Sequence, residues 1–406
     1  MQTQLAGFIR DTAAGREADA ILRKCVHCGF CNATCPTYQL LGDELDGPRG
    51  RIYLMKQVLE GAAPSARTRL HLDRCLTCRA CETTCPSGVQ YGRLADIGRA
   101  IVERATARGA WERIVRGALS FVLPRRALFG ALLALGRFVR PLLPGVLREK
   151  VPPRVAPAGE WPAARHPRRM LALAGCVQPA LAPSINAAAA RVLDRAGISL
   201  IEAPGAGCCG ALRFHLNDQD AGRDDMRALI DAWWPLLEHG GVEAIVMTAS
   251  GCGATVREYA HLLAHDPAYR EKAAKISELT GDLCEVLPAE AVAASGRPMK
   301  VAFQSPCSLQ HGQQVRGRVE ALLRKAGHEL TPVPDPHLCC GSAGTYSLLQ
   351  PELAARLRRQ KLEALASGGP EVVATANVGC LGHLAAASPL PVRHWIELID
   401  DAHARA

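Results

Sequence analysis

Cys25, Cys28, Cys31 and Cys35 are spaced C-x2-C-x2-C-x3-C, and Pro36 follows the fourth. Cys75, Cys78, Cys81 and Cys85 repeat that spacing, with Pro86 next. Thiolates at this density suit a soft metal. Three at i, i+3 and i+6 can wrap three irons of a cubane. The fourth, bent away by its proline, ligates the neighbouring cubane in two-cluster ferredoxins. The spacing therefore assigns Cys25, Cys28, Cys31 and Cys85 to one [4Fe–4S] cluster, and Cys75, Cys78, Cys81 and Cys35 to a second. Structural zinc is the competing use of C-x2-C pairs, but two full runs in succession argue against it. Gly29, Ala33 and Ala80 are small enough to let backbone N–H groups approach cluster sulfurs.

A second cysteine pattern fills the other half of the chain. Cys176, Cys208, Cys209 and Cys252 are matched by Cys307, Cys339, Cys340 and Cys380, and both sets contain Cys-Cys-Gly. This register marks an internal duplication. Gly205-Ala-Gly-Cys-Cys-Gly210 has the form G-x-G-x-x-G, but the second copy keeps only Cys-Cys-Gly, so dinucleotide binding is not supported. Cys284 has no counterpart and reads as structural. His27, His215, His311 and His337 lie near cysteine motifs and read as hydrogen-bonding or surface groups. No residue is assigned to catalysis on an organic substrate.

Elements must hold these thiols. Residues 50–61 and 94–108 show amphipathic helical periodicity, which favours an all-helical two-cluster module over a compact β-rich ferredoxin. In each copy of the duplication an apolar run ends in the lone cysteine (170–176, 301–307). A helical stretch follows (184–196, 313–326), then a β-like run ending in Gly-Cys (244–252, 372–380). Strand, helix and strand in alternation imply a short parallel sheet with its cysteines where strands end. The expected organisation is α+β and multidomain. It comprises a ferredoxin-type module (1–105), a connector (106–165), and two Cys-Cys-Gly repeats (166–290 and 298–406).

The connector holds most of the chain's charge. Residues 103–169 contain 14 Arg or Lys against four acids, enough to account for the net charge of +9. Its arginines alternate with apolar runs, and Pro124, Pro141 and Pro144 break it into short helices. Such a stretch suits an anionic membrane surface or an acidic partner. With no reading motif and few aromatics, it does not suit nucleic acid. No run of 18 apolar residues occurs, and the first residues lack the pattern of a secretory signal. The expectation is a cytoplasmic protein, peripheral on the cytoplasmic face of the inner membrane.

The whole pattern resembles the iron–sulfur subunits of bacterial glycolate oxidases. Related subunits serve lactate oxidation, anaerobic glycerol-3-phosphate dehydrogenase and heterodisulfide reductase. The likeness is carried by residues 25–38 with Asp46-Gly-Pro-Arg-Gly-Arg-Ile-Tyr53, by residues 72–91, and by Ala174-Gly-Cys-Val-Gln-Pro179. It implies an electron-transfer subunit that takes electrons from an FAD-containing partner oxidising glycolate to glyoxylate, and relays them to a quinone or another acceptor. The alternatives are the equivalent subunit for another 2-hydroxy acid or for glycerol-3-phosphate, or a heterodisulfide-reductase-like subunit. Heterodisulfide reductases add a cysteine three residues beyond the last one. Here those positions are Thr255 and His383, the latter a conceivable nitrogen ligand. A further iron–sulfur centre in the Cys-Cys-Gly repeats, in Cys307, Cys339, Cys340 and Cys380 or in both units jointly, stands beside the reading that these thiols only pack.

Overall fold

The computed structural model describes residues 1–404, so the last two residues of the second repeat lie outside it. The first 105 residues are helical. Thr12 accepts from Gly15 N to start helix Ala13–Lys24, Pro48 occupies the first turn of Pro48–Leu59, and Ser65 forms a capping box for Ala66–Asp73. Helix Tyr91–Ala105 closes the bundle over a core of Ile21, Leu22, Met55, Leu59 and Leu94. A Cβ at Gly98 would lie 2.5 Å from Met55 Sδ, so the glycine sets how closely helices Pro48–Leu59 and Tyr91–Ala105 approach.

The connector forms helices Ala110–Val122 and Arg126–Phe138, bent by 112° at the break between them. Among the described residues no single helix is long and apolar enough to cross a membrane. The first of the pair buries none of its residues. Trp111, Ile114, Phe121, Leu135 and Phe138 all face solvent.

Two parallel four-stranded sheets follow. The first contains β1 (Arg168–Ala172), β2 (Ile198–Glu202), β3 (Ala244–Met247) and β4 (Thr280–Asp282), in the order β2-β1-β3-β4. The second contains β5 (Lys300–Gln304), β6 (Glu329–Leu330), β7 (Val372–Thr375) and β8 (Val392–His394), in the same order, β6-β5-β7-β8. The register is parallel throughout, with Leu171 opposite Ile201 and Ile245, and Ala302 opposite Val373. The repeats share one core, in which Ile185 and Leu193 join Val301, Leu323, Trp395 and Ile399. Arg191 and Arg195 both bind Asp400 across this junction.

The expected helices at 184–196 and 313–326 are Ser184–Arg195 and Arg318–Lys325, the second preceded by a wide turn at Ser308–Gly312. The β-like runs ending in Gly-Cys are shorter than expected. β3 stops at Met247 and β7 at Thr375, and Cys252 and Cys380 lie in the first turns of helices Ser250–Val256 and Val378–Ala385. Strand pairing ends at the Met and the Thr although the chain stays buried beyond them, and the buried run continues into a helix.

Candidate metal centres

Each cysteine run is a loop followed by a single helical turn. His27 (φ 56°) and Gly29 (φ 86°) are left-handed between Cys25 and Cys31; Thr77 (φ 51°) and Arg79 (φ 60°) take the same places between Cys75 and Cys81. A left-handed β-branched threonine and a left-handed arginine are strained, and such strain concentrates at functional sites. Alternating left-handed residues turn backbone N–H groups toward the thiols, as Thr77 N does toward Cys75 Sγ at 3.4 Å. Helical turns Phe30–Ala33 and Ala80–Thr84 then carry Cys31 and Cys81.

The loops form two recesses. The first is lined by Cys25, Cys28, Cys31 and Cys85, closed by Ile52, Val89 and Tyr91. The second is lined by Cys35, Cys75, Cys78 and Cys81 over Arg51 and Leu76. Cys81 and Tyr91 line both, so one wall separates them. Thus the structure brings Cys85 beside the first run and Cys35 beside the second. With the shared Cys81 counted with the second recess, each has four sulfur donors and largely apolar walls, and the recesses fit iron–sulfur clusters.

Electrostatics repeat this grouping. Burial, then Cys25, Cys28 and Cys85, push the Cys31 thiol up to about 11. Burial raises Cys81 as well, followed by Cys78, Cys75 and Cys35. Cys75 differs: burial pushes it up, but Arg51 and Arg99 outweigh that and lower it. Arg51 is fully buried, donating to the His71 carbonyl at 2.7 Å and to Thr37 Oγ1 at 3.1 Å. It also pairs with Asp46, which receives Arg74 at 2.8 Å as well. Arg99 donates to the Leu72 and Cys75 carbonyls, each at 2.7 Å. Two buried cations beneath the second recess favour thiolate, and no sequence spacing pointed to them. Only the Asp46–Tyr53 segment, which carried part of the resemblance, contains one of them.

The recesses differ in cover. Cys28 is exposed, as are Val26 and Phe30 beside it. Leu76 is buried in a cluster with Cys339, Tyr346 and Leu357 of the second repeat, and Cys78 and Cys307 pack against it. His311 is a joint here: its ring nitrogens meet Thr83 Oγ1 at 2.9 Å and the His337 carbonyl at 3.0 Å.

In the repeats, the thiols of Cys176, Cys208, Cys209 and Cys252 touch in that order. Cys307, Cys339, Cys340 and Cys380 do the same, with Cys307 Sγ 3.8 Å from Cys339 Sγ. Contact with the adjacent thiol, then burial, raises both Cys176 and Cys307. The second set has cations near it. Lys361, 4% exposed, feels the charges of Cys340, Cys339 and Cys307, and Lys150 of the connector feels Cys340. His383 offers no free nitrogen: Nδ1 faces Lys150 Nζ at 3.3 Å and Nε2 faces the Ala354 carbonyl at 3.4 Å. Cys284 is buried beside Asp282 and is not one of the touching thiols of either set.

Comparison with known proteins agrees with this layout. A 4Fe-4S dicluster domain matches residues 21–89, and a cysteine-rich domain matches residues 170–257 and again 301–385. The glycolate oxidase iron-sulfur subunit of Escherichia coli (strain K12) is 57% identical over 405 residues, 99% of each chain. A probable glycolate oxidase iron-sulfur subunit of Bacillus subtilis (strain 168) is 31% identical over 392 residues, 89% of this chain and 87% of that one. Lactate utilization protein A of the same organism is 27% identical over 211 residues, 51% of this chain and 86% of that one. With a spacing-matched pair of four-thiol recesses and full-length identity at this level, the chain belongs to the family of glycolate oxidase iron–sulfur subunits.

Proposed function

We propose that this chain is the electron-transferring subunit of a glycolate-oxidising complex. A flavin-bearing partner converts glycolate to glyoxylate by removing two electrons and two protons. The electrons cross singly into this chain on their way to a membrane quinone or another acceptor, and the protons stay with the partner. Bound in the two recesses, [4Fe–4S] clusters supply the one-electron carriage. Cys25, Cys28, Cys31 and Cys85 would hold one, and Cys75, Cys78, Cys81 and Cys35 the other. Arg51 and Arg99 hold positive charge beneath the second recess, and Tyr91 donates its hydroxyl to Cys75 Sγ at 3.6 Å. Apolar side chains such as Ile52 and Val89 in the first recess and Leu76 in the second limit the water that reaches them.

The observation that carries this reading is the pair of adjoining four-thiol recesses with a common wall. The lactate utilization relatives align with about half of this chain, which leaves the glycolate reading ahead. The basic connector would hold the complex against an anionic membrane surface. Purification under argon with the co-expressed flavin partner tests the function. Brown protein whose reduced iron centres appear by electron paramagnetic resonance on adding glycolate, and not on adding lactate, is the expected result. Colourless zinc protein, or reduction by lactate alone, would overturn it.

A further inference from the structure

Only one of the two recesses reaches the surface of this chain with apolar groups around it. Val26 and Phe30, within the first ligand loop, are 68% and 62% exposed. Tyr53, on helix Pro48–Leu59, is 48% exposed and meets the His27 ring edge-on at 6.3 Å between centroids. Three large apolar side chains therefore ring a loop whose Cys28 is itself exposed. A soluble surface does not gather such groups around a redox ligand without a use for them. The second recess has no such rim, because Leu76 beside Cys75 is sealed under Tyr346, Leu353 and Leu357 of the second repeat.

The fringe of the rim is basic. Arg23, Arg49 and Lys56 are each paired, with Asp19, Glu44 and Glu60. Exposed Lys24 has no ion-pair partner among the described residues, which leaves this fringe with a positive charge in excess. The connector, which also exposes large apolar side chains, contains no cysteine. An electron donor seated there would have no ligand loop in contact with it.

We infer that the electron-donating flavoprotein docks on the Val26–Phe30–Tyr53 rim with a surface that is apolar at its centre and acidic at its edge. Electrons then enter at the Cys25, Cys28, Cys31 and Cys85 centre and pass inward to the Cys35, Cys75, Cys78 and Cys81 centre, which abuts Cys307 and Cys339. Burial sets the order of the stations: the one open to a partner exchanges electrons across the rim, and the one covered by the second repeat exchanges them inside the chain. This rests on the proposed function, since it needs a flavoprotein donor.

The test uses the full complex, with the affinity tag on the flavin subunit, and compares Phe30→Glu and Tyr53→Glu with the parent. Both variants should reduce co-purification and the rate of glycolate-driven cluster reduction at least ~10-fold, as charge placed in the centre of an interface does. In Tyr53→Glu, iron content and the signal produced by dithionite, which bypasses the partner, should stay at parental values. Tyr53→Glu leaves the ligand loop unaltered and decides the matter if Phe30→Glu loses iron. Parental co-purification and parental reduction by glycolate in Tyr53→Glu would overturn the docking site. If the parent complex assembles but glycolate never reduces its clusters, the proposed function fails, and co-purification alone still judges the rim.

Discussion

Cys85 lies far along the chain from Cys25, yet in the folded protein it faces the same recess as Cys25, Cys28 and Cys31, and Cys35 makes the reciprocal move. Each run therefore supplies three thiols to one site and a fourth to the other, which ties the two loops together. Replacing Cys85 by serine should abolish or convert the centre of Cys25, Cys28 and Cys31. The other centre should keep its signal, and iron should fall by about half if the affected four-iron site is lost whole, or by about one iron if it is converted. Cys35→Ser should give the opposite pattern, read by iron assay and paramagnetic resonance. Loss of the same centre in both variants would refute the exchange. This part of the site was legible because the proline after the fourth cysteine is a local signal with a geometric meaning. Arg51 and Arg99 were not legible. A buried arginine looks like any other arginine until the fold places it beneath a thiolate and shows its donors spent on the His71, Leu72 and Cys75 carbonyls.

Among the elements, the second ligand loop does two jobs. Arg79 occupies the left-handed position that Gly29 fills in the first loop, and its guanidinium reaches across to Glu258, 2.6 Å from Nη2. Burial pushes the Glu258 carboxyl up, but the arginine outweighs it and holds the group below the usual range. The pair thus fastens the ferredoxin-type module to the first repeat, while Thr83 and His311 fasten it to the second. Arg79→Met would leave Glu258 partly buried and unpaired, at a cost of ~2–4 kcal/mol. Removing both partners, as in Arg79→Met with Glu258→Met, should restore much of it. Denaturant unfolding of the cluster-loaded protein checks this, and equal stability of the single variant and the parent would show that the pair is not a fastening. Periodicity did indicate the helix of this module near residue 50 and the strands of both repeats, because each depends on neighbours in sequence. It overran at Cys252 and Cys380, where an apolar run continues past the end of the sheet and cannot by itself report the turn into a helix. Contacts such as Arg79 with Glu258 join residues 179 apart, and no spacing rule covers that distance.

At the scale of the molecule, the two repeats form one body through a common core, the module sits on both, and the connector's helix pair is the part left outside the hydrophobic cores. Net charge marked the connector in the sequence, but not which of its cations are already used. Arg108 is engaged by Asp73, Glu103 and Glu112, and Arg116 by Glu112 and Asp73. Arg113, Arg126 and Arg137 have no ion-pair partner among the described residues, and they share the helix pair with exposed Trp111, Phe121 and Phe138. Free cations beside exposed aromatic side chains on a bent pair of helices suit an anionic bilayer, where each arginine near the surface contributes about 1 kcal/mol. The protein should therefore sediment with vesicles containing phosphatidylglycerol and not with vesicles of phosphatidylcholine alone. Substituting serine for Arg113, Arg126 and Arg137 should weaken binding ~100-fold, and raising the salt should weaken it in the parent as well. The clusters lie elsewhere, so their reduction by dithionite should not change in that variant. Equal binding to both kinds of vesicle would mean that the apolar side chains act without the charge, and no binding to either would leave the connector as a surface for protein partners.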